Sequence, residues 1–146
     1  MSQPDNAPIA LYRDHPDLFG TLGSLHDLMA EKGLPPTLAH LVELRVSQIN
    51  GCAHCVDMHA TAARHDGETS ERLDRLVVWR HVDHFSESER AALAWAEALT
   101  LLHRDTDFSG LRSAMREHFD DEMIVLIGVD IAMINLWNRL QMSAHH

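Results

Sequence analysis

The chain carries little positive charge. It has 12 Lys and Arg residues against 22 Asp and Glu residues, and its formal net charge is -10. No cluster of basic residues stands out along the sequence. Because phosphate groups are held chiefly by Lys and Arg, this composition argues against a nucleic acid or an anionic membrane as a partner.

Long apolar segments are also missing. The longest strongly apolar run, residues 123–129, is far shorter than the roughly 20 residues that a membrane-spanning helix requires. Residues 1–8 are polar, with neither the positive start nor the apolar centre of a signal peptide. We therefore expect a soluble protein of the cytoplasm.

Strand patterns are absent from the sequence as well. No segment alternates apolar and polar residues with the period of two that a half-buried strand requires, and no repeat or low-complexity tract occurs. A chain of 146 residues suits one domain with a single core. We expect an all-α domain of about six to seven helices over residues 15–142, preceded by an irregular N-terminal arm over residues 1–14.

Apolar spacing and capping residues predict the individual helices. Ser86 and Glu89 have the spacing of a capping box, in which we expect the Glu89 side chain to reach back to the N–H of Ser86. Other side chains suited to begin a helix are Thr37, Thr69 or Ser70, and Asp120. The expected helices span residues 16–32, 38–50, 52–65, a short segment after 69–70, 87–103, 111–118 and 121–142.

Cysteine is nearly absent, and both copies lie in one short stretch. Cys52 and Cys55 are three residues apart, and His59 follows four residues later, so on a helix these side chains share one face. The turn signal Asn50-Gly51 places Cys52 near a helix N-terminus, where free backbone N–H groups favour a thiolate. In a reducing cytosol such a pair indicates catalysis or metal binding rather than a structural bridge.

Three interpretations of this pair remain open from the residues alone. A redox-active dithiol needs two sulfurs that can bridge, which one helical turn provides. A zinc site needs about four ligands, and Cys52, Cys55 and His59 with His54 or a distant histidine would supply them. Two inert core thiols are the third interpretation. We favour the dithiol because no second Cys or His pair stands at the spacing typical of zinc motifs.

Polar residues around the pair are candidates for moving protons. His59 is a candidate general acid–base, since imidazole exchanges protons near neutral pH, although a histidine hydrogen-bonded in the interior would look the same. His54 points to another face, where solvent or a subunit contact is as reasonable as a function. Glu43 is either a base for a thiol proton or an exposed helix charge. It belongs to a polar stripe that faces solvent or lines the site: His40, Glu43, Ser47 and Asn50.

The last predicted helix is apolar on nearly all sides between residues 124 and 140. A surface helix needs an apolar stripe on one side only, so we expect part of this helix to form a subunit interface. Asp130 and Asn135 interrupt the apolar sequence, and we expect structural hydrogen bonds for both. The tryptophans are expected in the core or at an interface: Trp79, Trp95 and Trp137.

One segment resembles a known family. Residues 43–59, ELRVSQINGCAHCVDMH, closely resemble the core motif of the carboxymuconolactone decarboxylase/AhpD-like family. Residues 89–100 and 134–140 look similar to later parts of the same family, so that the resemblance spans residues 15–141.

This resemblance implies an all-helical protein that assembles into trimers or hexamers. It also implies that the protein reduces alkyl hydroperoxides without a cofactor. It assigns the attack on the peroxide to Cys55 and the resolving role to Cys52, with an external dithiol as reductant. The family histidines fall on His54 and His59. The relay glutamate of AhpD itself falls on His40, whereas Glu43 fits the variant in short members of the family.

A non-enzymatic function is the alternative. A helical oligomer with the same two cysteines would serve as a redox sensor or bind zinc. The decarboxylase branch of the family lacks the Cys-x-x-Cys pair, so lactone decarboxylation is not expected.

Overall fold

The computed structural model describes residues 4–145. Within this range the chain forms eight α-helices and no strand, which confirms the all-α prediction. A 3-10 helix, Leu76–His81, directly follows the fifth α-helix. The helices are α1 (Leu11–Asp14), α2 (Pro16–Glu31), α3 (Pro36–Asn50), α4 (Ala53–His65), α5 (Ser70–Arg75), α6 (Glu87–Leu101), α7 (Phe108–Arg116) and α8 (Asp121–His145).

The N-terminal arm is more regular than predicted. Residues 1–3 lie outside the described range, but residues 11–14 form α1 instead of an irregular segment. The N–H of Ile9 donates to the carbonyl of Ala144 at 3.0 Å, and Leu11 is buried against Phe19 and Ala144. The arm is therefore fixed to the end of α8, and the folded unit reaches residue 145 at its C-terminal end.

Most of the predicted helix starts are confirmed. The capping box of Ser86 and Glu89 is complete, Thr69 caps α5, and Asp120 accepts a hydrogen bond from the N–H of Met123 at 2.8 Å. The prediction for Thr37 is wrong, because α3 already begins at Pro36. Proline is favourable at the first helical position, since its φ is preset and it has no N–H group to satisfy.

Helix α3 lies at the centre of the molecule. It packs against α4, α6 and α8, and its apolar side chains enter two neighbouring core clusters. Val42 and Val46 belong to the cluster with α6 and α8, while Leu41 and Leu44 belong to the cluster with α4, α5 and the 3-10 helix. Burying each such side chain contributes about 1.5–3 kcal/mol. Polar residues on α3 are thereby held inside the protein rather than on its surface.

Helix α8 is covered mainly by this chain itself. By length and composition alone it is apolar enough to cross a membrane, but it packs as a core helix against α3 and α6. Val125 is a large apolar residue of α8 that stays exposed. The polar residue Asn135 makes the expected structural bonds, with Thr100 and with the carbonyl of Ile131. Much of the apolar face that we assigned to a subunit interface is thus buried within one chain.

Candidate active site

The turn between α3 and α4 sets the position of the cysteines. Gly51 has a φ of 70°, a left-handed conformation that glycine adopts without a steric penalty. Its N–H donates to the carbonyl of Gln48 at 3.3 Å, and the N–H of Cys52 donates to that of Ser47 at 3.2 Å. These two bonds form a Schellman motif, which ends α3. The sequence Asn50-Gly51 therefore ends one helix and begins the next, as predicted.

Cys52 and Cys55 are joined by a disulfide bond at the start of α4. Their Cα atoms are 5.3 Å apart, within the range that a disulfide requires. Cys52 is the N-cap residue, and its Sγ atom accepts a hydrogen bond from the N–H of Cys55 at 3.4 Å. Both side chains are buried. The pair is thus close enough for reversible oxidation, and the structure describes its oxidised form.

Glu43 lies inside the protein beside two histidines. Its Oε2 atom is 3.1 Å from Nδ1 of His59 and 3.8 Å from Nδ1 of His40. Burial by itself raises the pKa of Glu43, but the neighbouring His40 and His59 and the carboxyl of Asp130 outweigh it and lower the pKa below its ordinary value. Glu43 is therefore a buried carboxylate paired with imidazoles and not the exposed helix charge that we had as the alternative.

A path of polar side chains runs from Glu43 to the protein surface, with a gap of 3.8 Å between Glu43 Oε2 and His40 Nδ1. His40 stands next to Glu43, and its Nε2 atom is 2.7 Å from Oδ2 of Asp66, which is exposed. Glu43 and then Asp66 raise the pKa of His40. With His59 at its inner end, this path connects the neighbourhood of the disulfide with solvent. The sequence left open whether Glu43 or His40 belongs to the relay, and the structure brings both into one network.

A second carboxyl group, that of Asp130 on α8, lies next to Glu43. Asp130 is fully buried, and its Oδ1 atom has no hydrogen-bond partner among the described residues. Burial, and after it the negative charge of Glu43, raises the pKa of Asp130. The two carboxyls therefore hold unequal protonation states, with Glu43 ionised and Asp130 neutral. We expected structural hydrogen bonds for Asp130. Its neutral carboxyl group is hydrogen-bonded to Glu43 while Oδ1 has no partner, so Asp130 belongs to the polar cluster of the site.

Two groups of side chains have the spacing of metal ligands. In each group the nearest donor atoms lie within 4.8 Å of one another. Within the described residues the groups are His40, Glu43 and His59, and His26, Glu43 and Asp130. Neither group includes a cysteine, since both sulfurs are joined in the disulfide.

An open cavity of about 320 Å³ lies at the disulfide. Cys55, His59, Glu43 and His54 line it, whereas Cys52 is buried and does not belong to the lining. A second cavity, of about 150 Å³, is lined by His40 and Asp130, with His26 and Glu43 in the walls of both. The rest of the larger cavity is mainly apolar, with side chains from four helices: Tyr12, Phe19, Met58 and Trp137.

Sequence reasoning missed the residues that reach the site from distant elements. The Nε1 atom of Trp137 donates to Nε2 of His26 at 2.8 Å, a bond between positions 111 residues apart. We expected Trp137 in the core or at an interface, and Tyr12 in an irregular arm. Of these distant residues, only Asp130 was marked in the sequence, as an acidic residue in an otherwise apolar helix.

The fold and site define a helical thiol–disulfide protein, with a Cys-x-x-Cys bridge at a helix N-terminus beside a buried Glu–His pair. The chain belongs to the carboxymuconolactone decarboxylase family, whose family model matches residues 16–98.

Similar proteins cover nearly the whole chain. The uncharacterized protein YdfG of Bacillus subtilis (strain 168) is 34% identical over 135 residues, which are 92% of either chain. A crystal structure from Agrobacterium tumefaciens has a TM-score of 0.88 at 37% identity, over 95% of each chain. That protein is of unknown function and is named as a candidate antioxidant defence protein AhpD. The chain is thus similar to AhpD-like proteins in sequence and in fold.

The same fold also occurs in an enzyme of a different kind. The debrominase Bmp8, crystallised with 2,3,4-tribromopyrrole, has a TM-score of 0.79 at 21% identity, over 90% of this chain and 70% of its own. Similarity at this level concerns the fold alone. The reaction therefore has to be argued from the residues of the site.

Proposed function

We propose that the protein is a thiol-dependent peroxidase that reduces organic hydroperoxides through a dithiol–disulfide cycle of Cys52 and Cys55. The observation that carries this proposal is the disulfide at the edge of an open cavity, with the Glu43–His59 pair lining the same cavity. The similarity to a candidate AhpD protein supports the same reaction.

In the proposed cycle, the Cys55 thiolate attacks the distal oxygen of the hydroperoxide. An S–O bond forms, the O–O bond breaks, and the alkoxide takes a proton and leaves as an alcohol. The Cys52 thiol then attacks the sulfur of the sulfenic acid, so that a disulfide forms and water leaves. An external dithiol reduces this disulfide to two thiols and is itself oxidised to a disulfide.

Cys55 is the better candidate for the attack because it lines the cavity, while Cys52, the buried N-cap of α4, does not. His59 and Glu43 would accept the thiol proton and return it to the alkoxide. His54, the remaining predicted catalytic residue, lines the same cavity. Because the cycle needs a dithiol donor, we place the protein in the reducing cytoplasm.

Single cysteine variants test the proposal. Cys55→Ser should abolish turnover of a hydroperoxide with a dithiol. Cys52→Ser should consume about one equivalent and leave a sulfenic acid at Cys55 that a dimedone-type reagent traps. The opposite behaviour of the two variants would show that the roles are exchanged, and full turnover by both would refute the peroxidase.

The same measurement separates the peroxidase from a sensor. A redox sensor would be oxidised once, in proportion to its own amount, and would not turn over with peroxide and dithiol. Metal analysis of the purified protein addresses the zinc alternative, because a bound equivalent of zinc would favour it.

A further inference from the structure

Two imidazoles and one carboxylate converge at Glu43. One donor atom from each of His40, Glu43 and His59 lies within 4.8 Å of the other two. Nitrogen and oxygen ligands sit about 2.0–2.1 Å from a zinc ion, so neighbouring ligands of one ion lie roughly 3.0–3.4 Å apart. The 3.1 Å between Glu43 Oε2 and His59 Nδ1 is already in this range. His40 Nδ1, at 3.8 Å, needs only a small movement of its ring.

His40 presents a nitrogen without a partner to this group. Its Nε2 atom is 2.7 Å from Oδ2 of Asp66, which can only accept, so the proton of the neutral ring belongs on Nε2. Its Nδ1 atom is buried and has no hydrogen-bond partner within residues 4–145. Histidines that bind metal ions almost always donate their second ring N–H to a carboxylate, a carbonyl or water. Asp66 therefore holds His40 in the orientation and tautomer of a metal ligand.

Asp130 adds an oxygen at the same place. The residue is only 1% exposed, and its Oδ1 atom is the buried oxygen without a partner. One of its oxygens lies within 4.8 Å of donor atoms of Glu43 and His26. A cation at Glu43 would attract this oxygen and offset the cost of leaving it unpaired. His26 itself is the weaker ligand, because its Nε2 atom accepts the indole N–H of Trp137 at 2.8 Å.

Space and charge around the group suit a cation. The cavity of about 150 Å³ touches His40, Glu43 and Asp130, and the cavity of about 320 Å³ touches Glu43 and His59. Both exceed the share of one water in the liquid, about 30 Å³, so water can complete the coordination of an ion. In the described part of the chain, neither lining contains Lys or Arg. The net charge of -10 also attracts cations to the protein.

We propose that His40, Glu43 and His59 form a binding site for a divalent transition-metal ion, with Zn²⁺ as the simplest representative. Imidazole nitrogen selects such ions over Mg²⁺ and Ca²⁺, which prefer oxygen ligands. The site goes beyond the proposed peroxidase, since its ligands include the two groups to which that cycle assigns proton transfer. A bound ion would occupy the same atoms as the protons, so metal binding would stop the cycle.

Calorimetric titration of the oxidised, chelator-treated protein with Zn²⁺ tests the site. The disulfide keeps both sulfurs from binding metal, so this titration is independent of a zinc site at the cysteines and of any peroxide chemistry. One equivalent of Zn²⁺ should bind with a dissociation constant in the micromolar range or below. Mg²⁺ at the same concentrations should not bind.

Variants assign the bound ion to this group. His40→Ala should weaken Zn²⁺ binding by about 100-fold or more, since it removes a ligand. Asp66→Ala should weaken it about tenfold, the lower end of the effect of losing the carboxylate that orients a ligating histidine. The matched control is His103→Ala, which removes an exposed histidine outside both cavities and should leave the affinity unchanged. Joint replacement of His145 and His146 by alanine should also leave it unchanged.

Three results would overturn the proposal. The first is that Zn²⁺ binds only the reduced protein, which would place the ion on the cysteines. The second is that His40→Ala and Asp66→Ala both keep the wild-type affinity. The third is that binding disappears with the two C-terminal histidines. Because Asp66 is exposed, Asp66→Ala decides the question even where His40→Ala does not fold.

Discussion

Glu43 carries a buried negative charge that its neighbouring side chains stabilise. The carboxylate faces His59 and His40, and the adjacent carboxyl of Asp130 stays neutral. A buried carboxylate is strongly destabilising unless it is paired or hydrogen-bonded. In this site the pairing also provides a partner for the imidazolium that forms when His59 takes up a thiol proton.

The variant Glu43→Gln should slow the oxidation of the reduced thiols by peroxide at pH 7 by about 100-fold, the lower end of the range for general acid–base catalysis. The physical reason is that His59 loses its carboxylate partner while the shape of the site is kept. Stopped-flow measurement of thiol oxidation gives the rate.

Glu97→Gln is the matched control for this change. The side chains of Glu43 and Glu97 are similarly covered, at 11% and 13% exposure, and Glu97 is also ion-paired, with Arg45 and Arg80. It lies outside the cavity at the disulfide. Glu97→Gln should leave the thiol oxidation rate unchanged, and an equal loss in both variants would contradict a specific role of Glu43.

Asp130→Asn should alter how stability depends on pH. Because burial and then the charge of Glu43 raise the pKa of Asp130 in the folded protein, the folded state keeps a proton that the unfolded chain releases above about pH 4. The contribution of Asp130 to stability is therefore complete at low pH and is lost as the pH rises toward the folded pKa. Asn cannot ionise, so the variant does not lose stability in this way as the pH rises.

Urea unfolding at pH 5 and pH 8, with the disulfide intact, measures the effect. The free energy of unfolding of Asp130→Asn, relative to that of the wild type, should increase between these pH values, by at most about 1.4 kcal/mol per pH unit. A difference between the two proteins that is the same at both pH values would refute the neutral state of Asp130.

At the scale of elements, the junction between α3 and α4 carries most of the site. The last turns of α3 hold Glu43, the turn holds Gly51, and the first turns of α4 hold the cysteines and His59. Residues that are close in the sequence obey simple rules of helical spacing and capping. For this reason the Cys-x-x-Cys pair, its place at a helix start and its proximity to His59 could be predicted.

Residues from other elements could not be placed in this way. These four side chains reach the site only because α8 packs against α3, α2 packs against α8 and α1 packs against α2: Tyr12, His26, Asp130 and Trp137. Helical periodicity identifies the buried side of each helix but not its neighbour or its rotation against that neighbour. The apolar sequence around Asp130 predicted burial correctly, but a structural hydrogen bond and a buried neutral acid have the same sequence pattern.

Gly51→Ala should destabilise the protein by about 1 kcal/mol, because alanine at a φ of 70° is strained. A Cβ atom at Gly51 would meet nothing within 4 Å, so the change tests backbone conformation alone. Gly20→Ala in the middle of α2 is the control, also with open space for a Cβ atom. This control should stabilise the protein by about 0.5–1 kcal/mol. Urea unfolding measures the change in the free energy of unfolding for both variants. Changes of equal sign would contradict the role of the turn.

At the scale of the whole molecule, the exposed apolar residues favour assembly. Leu101 and Leu102 at the end of α6 and Val125 near the start of α8 are large side chains left exposed in one chain. Soluble monomers seldom expose such groups in patches. Since most of α8 is already covered, we expect these helix ends, rather than the whole length of α8, to take part in subunit contacts.

Light scattering at micromolar concentration checks this expectation. We predict a trimer or a hexamer, as the family resemblance implies, with closed symmetry. Substituting Leu102 by a charged residue should weaken the assembly. A single species near the chain mass of 16.5 kDa would refute it.

The disulfide spans a separation of only three positions, and this has a consequence for the whole protein. A crosslink stabilises mainly by restricting the unfolded chain, and so short a loop gives only about 2 kcal/mol, less than half the value for a loop of 100 residues. The two core clusters and the helix contacts do not depend on the bond. The reduced chain should thus keep the same helical framework, so that electrons enter and leave the molecule without folding or unfolding it.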